Sequence, residues 1–409
     1  MAESETEPFE CVIIGGGPHG TYLANTLCET VGLDATTLAL FDPHERLLAS
    51  FREKARSCGM TALRSAYVQH LGQEPFALEK FAQRHDREDE LVPTVDYPAR
   101  PSLELFVDHA DHVIAANDLD SLHRQAAVES IHESPTGGFR LETTDDEFKT
   151  RTCVLAIGYG GRYRYPGWAN GVDGVDHVWN GFDPNADVDE TIVVGGGTTA
   201  GQLACTLSET QSVTLLNRHA LEWETAEAAP PWVTWRHIET ELHCHPPGSK
   251  ARFQTATKAR HDATMPPYLY HELDSHRDAG TLRLESGEVD VANSTDETVK
   301  LCLDRGRWLS ADRVVLATGF EPAFEHPFVE QVAGELGLER GYQGMPVLDD
   351  ETLAWRNEEG EPTALYVSGA LALGTVGPYA PNLPGARRAA ERIVSGVQTT
   401  LLPDGSVPV

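Results

Sequence analysis

Two kinds of apolar run alternate along this chain. Short, continuous stretches such as Cys11-Val-Ile-Ile14, Thr37-Leu-Ala-Leu-Phe41, Arg151-Thr-Cys-Val-Leu-Ala-Ile157 and Val213-Thr-Leu-Leu-Asn217 are bounded by glycine or polar residues and predict buried strands. Longer stretches with apolar residues at helical spacing follow some of them, after Pro18, after Thr198 and from about Gly385 to Val397. The order reads strand–helix–strand to about residue 42, a helical insertion at about 74–117, and then a strand-rich stretch through Ala127-Val-Glu-Ser-Ile131 and Gly138-Phe-Arg-Leu-Glu142. A second strand–helix–strand begins at Thr191. A hairpin-like region around Val299-Lys-Leu-Cys-Leu303 and Trp308 leads into Asp312-Arg-Val-Val-Leu-Ala317. The strand Ala364-Leu-Tyr-Val-Ser-Gly-Ala370, a Gly/Pro loop and a last helix complete the pattern, which is that of an α/β protein with parallel sheets.

The joints between strand and helix carry the chemistry. After the first strand comes Gly15-Gly-Gly17-Pro18-His19-Gly20, a complete G-x-G-x-x-G. Its first glycine permits the tight turn, its second lets backbone approach a pyrophosphate, and its third lets helix and strand pack closely. The helix starting there points unpaired N–H groups and its positive dipole end at the phosphates. Asp42, at the end of the next strand, is placed to accept hydrogen bonds from a ribose diol. This copy reads as the adenosine end of an FAD site. The second copy runs Gly195, Gly197, Thr198, Thr199, Ala200, with alanine an accepted third position. Its next strand ends in Arg218 rather than an acid, which suits a 2′-phosphate and favours NADPH over NADH. The expected fold class is therefore α/β with two Rossmann-like dinucleotide-binding domains. The FAD domain spans 9–189 and 316–409 and is interrupted by an NADPH domain at 190–315.

Composition narrows the setting. With 63 acidic against 32 basic side chains the net charge is −31, and only six of the basic residues are lysine. Such a surface repels nucleic acid and anionic membranes, leaving small molecules as the expected partners. An acidic, lysine-poor chain suits concentrated salt, where screening weakens self-repulsion, so a halophilic source is expected. No basic-plus-apolar leader opens the chain, Met1–Pro8 being acidic, and no apolar run approaches the roughly 20 residues of a membrane helix, so a cytoplasmic location is expected. The seven cysteines form no Cys-x-x-Cys pair and read as reduced thiols, which removes the disulfide reductases. No metal site is expected: His243-Cys244-His245 lacks a second cluster at zinc spacing.

With these motifs in place the chain resembles the two-dinucleotide flavoproteins that include flavin-dependent monooxygenases. Ala317-Thr318-Gly319-Phe320 is similar to their ATG(F/Y) segment, and Thr363-Ala-Leu-Tyr-Val-Ser-Gly369 to the strand that approaches the flavin. Within the group it resembles the N-hydroxylating lysine and ornithine monooxygenases, on Met60-Thr-Ala-Leu-Arg64-Ser65, Glu74-Pro-Phe-Ala-Leu-Glu-Lys-Phe81 and Arg100-Pro-Ser-Leu-Glu-Leu-Phe106. It departs from the related reductases at Gly369-Ala370, where they carry Gly-Asp. It only echoes the flavin-monooxygenase linker at Asp173-Gly-Val-Asp-His177-Val-Trp179. The resemblance implies FAD reduced by NADPH, a small nucleophile such as an amine as substrate, and oxygen as co-substrate. The alternatives are an NADPH:acceptor reductase that oxygenates nothing, and a flavin-binding redox sensor without turnover.

Several side chains are candidates for roles beyond the turns. Backbone donors at Asn382-Leu383-Pro-Gly385, where the last helix begins, suit the N1–C2=O edge of a reduced flavin. Arg64 suits a flavin phosphate, a substrate carboxylate or a structural ion pair, and Met60 either covers the flavin face or belongs to the core. Arg100 either caps the insertion or reaches the cleft. Gly158-Tyr-Gly-Gly-Arg-Tyr-Arg-Tyr-Pro166 should cross the domain interface, its rings and arginines suited to adenine or a nicotinamide phosphate, or else solvated. His109 and His112 are expected on an acidic helix surface. The aromatic-rich segment 230–270 is expected to close the cleft or to form a subunit contact in an oligomer.

Overall fold

The computed structural model describes residues 7–295 and 298–401, so most of the acidic N-terminal stretch and the last eight residues lie outside it. Two sheets organise the molecule. The first has the order Ala354–Arg356, Pro362–Val367, Glu147–Leu155, Phe9–Ile14, Leu38–Asp42, His123–Gln125, with Phe139–Thr143 and Val128–Glu133 added antiparallel beside Glu147–Leu155. Its core strands are parallel, in register Cys11 to Leu38 and Ile14 to Leu155. They are buried on both faces, which explains why they read as unbroken apolar runs rather than alternating ones. The second sheet, all parallel, has the order Leu282–Ser286, Ser212–Asn217, Glu190–Val194, Arg313–Leu316, Val175–His177. An antiparallel three-stranded sheet, Val289–Ser294, Val299–Leu303 and Trp308–Ala311, packs beside it.

The two sheets share one plan. In each, the strand ahead of the glycine turn is central, with the strand ending in Asp42 or Asn217–Arg218 on one side and a later strand on the other. The expected strand–helix alternation and the insertion of one unit into the other are both present. The inserted unit, however, starts earlier than residue 190: Val175–His177 pairs with Arg313–Leu316 as an edge strand of the second sheet. A three-residue strand carries too little periodicity to be read from sequence. The insertion expected to be helical also holds a hairpin, Leu91–Thr94 with Tyr97–Pro101, between helices Ala77–Arg84 and Leu103–Ala116.

Residues 228–259 leave the second sheet and fold against the first unit. Trp232, Ile238, Leu242 and Ala256 form a small core with Tyr379. The Arg392 guanidinium lies 3.4 Å from the centre of the Trp235 ring, whose Nε1 donates to Glu391. Buried Arg252 makes a two-pronged pair with Asp350, at 2.6 and 2.7 Å. This segment is thus an intramolecular strap on the C-terminal helix, Leu383–Leu401. No described helix is long and apolar enough to cross a membrane.

Candidate functional site

Both glycine turns are built by close approach. A side chain at Gly15 would sit 2.5 Å from the Ala156 carbonyl oxygen, and Gly15 has a left-handed φ of 113°. A side chain at Gly20 would meet the Gly15 carbonyl at 1.8 Å, so helix Pro18–Val31 rests directly on the turn. Gly17, between them, faces open space: nothing lies within 4 Å of where its side chain would be. The second turn repeats this. A side chain at Gly195, where φ is 159°, would sit 2.6 Å from the Ala317 carbonyl oxygen, the Ala200 methyl fills the third position, and helix Thr198–Ser208 begins there. The free space at Gly17 leaves room for a pyrophosphate ahead of the first helix, whereas at the second turn a side chain at Gly197 would meet the Ala263 backbone at 3.8 Å.

The strand ends fit the same reading. Asp42 accepts from the Gly16 N–H at 2.6 Å and from the backbone and Nδ1 of His44 at 2.9 and 2.6 Å, so its carboxylate lies against the first turn. Arg218 is exposed at the end of its strand and has no ion pair among the described residues.

One short segment, 260–265, links the second turn to the loop ahead of the last helix. Ala263 stands over Gly196 and Gly197, and the Thr198 hydroxyl reaches the Thr264 carbonyl at 3.4 Å. Arg260 donates to the Asn382 side chain at 2.9 Å and to the Pro378 carbonyl at 2.7 Å. Asn382 in turn donates to Glu227 at 3.4 Å, ahead of helix Leu383–Leu401. The link from the second turn to the start of the last helix is therefore polar. Gly385 serves packing there: a side chain at this position would stand 2.2 and 2.7 Å from the Tyr379 and Ala380 carbonyl oxygens.

Arg64 has a role that its sequence context did not single out. Its guanidinium donates to the carbonyls of Glu224 at 2.6 Å and Ala226 at 3.0 Å, to the Thr264 hydroxyl at 2.8 Å, and more distantly to Thr225 and Thr264 carbonyls. Burial pushes its pKa down, opposed by the nearby Glu227. All its protein partners lie in the inserted unit, so it is an interdomain clasp rather than a member of an ion pair. Met60 packs against the cores of both units. Arg100 stacks 3.8 Å from the centre of the Tyr268 ring, and a side chain at Gly59 would strike Thr206. Sequence could not show these contacts because the partners lie more than a hundred residues apart.

The two domain crossovers meet ring on ring. Tyr159 stacks on Phe320 at 4.5 Å and 5°, Trp179 stacks on the same Phe320, and Tyr163 stacks on His177 at 4.8 Å. The Thr318 hydroxyl donates to the Arg164 carbonyl, and Gly319 accepts from the Arg164 N–H. The tyrosines expected to meet a nucleotide are thus committed to protein rings, and Thr318 and Gly319 to the linker. The echo at His177 and Trp179 belongs to this cluster, where burial lowers the His177 pKa to about 4.

Two further histidines singled out in the sequence hold parts of the fold together. His109 is buried against His70 and Phe81, not on a surface, and burial lowers its pKa to about 3. The His243 Nε2–H donates to the Thr375 carbonyl at 2.8 Å, and no group of three metal-ligating side chains exists among the described residues. Gly369, with φ 83°, ends the strand Pro362–Val367 beside Gly158 and His19.

Comparison with known proteins agrees with this architecture. Residues 12–160 match the family model described as FAD-NAD(P)-binding. No curated protein sequence matches the chain. Among solved structures, it is similar to the ornithine N-hydroxylase of Kutzneria sp. 744, with TM-score 0.76 and 17% identity over 96% of this chain and 99% of that one. It is also similar to L-lysine 6-monooxygenase from Pseudomonas syringae, with TM-score 0.73 and 18% identity over 96% and 100%. A cadaverine monooxygenase from Erwinia amylovora, solved with FAD, gives TM-score 0.73 and 14% identity over 96% and 94%. The chain therefore shares, over nearly its whole length, the two-unit fold of these flavoprotein monooxygenases.

Proposed function

We propose that this protein is an FAD-dependent oxidoreductase that uses NADPH and hydroxylates a small amine. The observation that carries the reading is the pair of glycine turns, each placed between a parallel strand and the start of a helix, with polar residues 260–265 linking the second turn to the loop ahead of the last helix. The solved relatives named above, by their titles, act on ornithine, lysine and cadaverine, and this supports the amine class.

In this reading the first turn holds the FAD pyrophosphate, with Gly15, Gly17, Pro18 and Gly20 shaping the cradle and Asp42 facing the ribose. The second turn holds NADPH through Gly195, Gly197, Thr198, Thr199 and Ala200, with Arg218 on the 2′-phosphate. The chemistry that FAD supplies when bound is acceptance of hydride and activation of oxygen. Asn382 and Leu383 begin the last helix, whose dipole end stabilises negative charge by about 0.3–2 kcal/mol depending on burial. Glu227 and Asn382 offer acceptors to a cationic amine. Arg64 and the stacked crossovers hold the two units against each other.

The test uses the purified holoprotein. A yellow protein whose flavin is bleached anaerobically by NADPH, and which then adds one oxygen atom to ornithine, lysine or cadaverine in air, supports the reading. Flavin reduction with peroxide as the sole product from every amine leaves only the reductase. Failure to take up FAD overturns the proposal.

A further inference from the structure

Four side chains from separate stretches of the chain meet beside the loop that leads into the last helix. Glu227 comes from the inserted unit, Arg64 from the segment ahead of the insertion, Tyr97 from the insertion's hairpin and Tyr379 from the loop itself. Burial raises the pKa of both tyrosines, and the Glu227 charge adds to it, so two neutral hydroxyls flank that carboxylate. Glu227 accepts from the Asn382 amide at 3.4 Å, and Arg260 orients that amide by donating to its oxygen at 2.9 Å. The backbone of Pro381 and Asn382 lies over the His19 ring, beside the first glycine turn. Glu227 therefore stands one side chain away from the proposed FAD cradle, and Arg64 ties the same place to Thr264 and the second turn.

The charges at this place are unequally committed. Arg64 turns its N–H groups on the carbonyls of Glu224 and Ala226 and on the Thr264 hydroxyl. Arg260 pairs with Asp262 at 2.9 Å and donates to Pro378 and Asn382. Glu227 is half-buried, reachable from solvent, and in no ion pair among the described residues. The position thus offers a ligand an anionic acceptor rimmed by hydroxyls, while both cations beside it are engaged by the protein. Such a carboxylate makes its strongest hydrogen bond to an ammonium and repels another carboxylate.

Resting on the proposed amine hydroxylation, we infer that Glu227 is a specificity-determining residue and that the substrate is a diamine rather than an amino acid. One end of the diamine, as the free amine, is hydroxylated. The other end, as an ammonium, donates to the Glu227 carboxylate, with Asn382 and Tyr97 beside it. Oxygen gives one atom to the N–H bond and the other to water, and NADPH with a proton supplies the two electrons and hydrogens that this requires. An amino acid of the same length brings its carboxylate to the ammonium end, where Glu227 repels it.

The test compares putrescine with ornithine, and cadaverine with lysine, as substrates of the purified holoprotein, read as the hydroxylamine formed. Within each pair the molecules differ only by the carboxylate. In the wild type kcat/KM should favour the diamine of the better pair at least about tenfold, the scale of one charge-assisted hydrogen bond. Glu227→Gln keeps the shape and removes the charge, so it should raise KM for the diamine at least about tenfold, with a smaller change in kcat, and erase the preference. Glu227→Asp, which keeps the charge, should recover part of the loss. A merely structural role would lower diamine and amino acid alike. That result, or an amino acid used as well as its diamine by the wild type, overturns the inference while leaving the amine hydroxylase standing. If Glu227→Gln does not fold, the wild-type ranking decides alone. A holoprotein that transfers oxygen to no amine overturns the inference and the proposed function together.

Discussion

At the scale of single residues, the glycines of the first turn divide into two classes that one experiment separates. Gly17 has ordinary extended backbone and free space around it, so Gly17→Val should fold with little change in melting temperature and fail to bind FAD. Gly20→Ala drives a methyl into the Gly15 carbonyl and should lower stability by about 1–3 kcal/mol, read by thermal unfolding of the flavin-free protein. Equal melting temperatures for the two variants would refute the distinction. Arg218→Ala should weaken NADPH while sparing NADH, because only the former carries a 2′-phosphate; equal weakening would remove that role. The buried histidines make a further prediction. His70 and His109 are neutral in the fold, with pKa lowered to about 4 and about 3 from 6.5, so the unfolded chain gains protons first on acidification. Their stabilisation is complete above pH 6.5 and is lost as pH falls towards 4. His109→Phe should flatten the fall of melting temperature between those values, and an unchanged slope would show that other groups set it. The turns were legible in sequence because a G-x-G-x-x-G acts within six residues. The burial of His109 was not, since flanking Asp108 and Asp111 mark one side of the helix and conceal the other.

At the scale of elements, the interface rests on contacts that no local pattern announces. Arg64 sits in a segment read as a flavin or substrate contact, yet its partners are carbonyls contributed by a loop about 160 residues away. Carbonyl acceptors leave no signature in a sequence, because every residue has one. Arg64→Ala should lower the melting temperature by an amount corresponding to about 2–3 kcal/mol and slow anaerobic flavin reduction by NADPH, with FAD affinity retained. Loss of FAD with normal reduction of any bound remainder would instead place Arg64 on the flavin. The strap of residues 228–259 was equally hidden. Its aromatics advertise burial, but not which surface buries them. The crossovers behave similarly: Tyr159 and Phe320 each follow an Ala-x-Gly at a strand end, a repeat visible in sequence, while their stacking depends on how the sheets are set against each other.

At the scale of the whole molecule, a net charge of −31 surrounds these interfaces. Raising salt from about 0.1 M to about 1 M shortens the screening length from about 10 Å to about 3 Å, which should relieve self-repulsion far more than it weakens buried contacts. The melting temperature should therefore rise over that range; a flat or falling curve would sink the expectation of a salt-adapted protein. The general plan, one α/β unit inserted in another, was readable because each unit repeats the same short grammar of strand, glycine turn and helix. The exact start of the insertion was not, because Val175–His177 is too brief to differ from a loop.

The route of the chain also sets a timetable. The second sheet is complete once Arg313–Leu316 has emerged from the ribosome, whereas Glu147–Leu155 must wait for Pro362–Val367 before its remaining edge is paired. The inserted unit is thus able to mature first, while the outer one keeps the Cys153–Leu155 edge unpaired until Pro362–Val367 has been made. Such an edge invites pairing with a neighbouring chain. Truncation before Pro362 should consequently yield material that aggregates rather than a smaller folded unit.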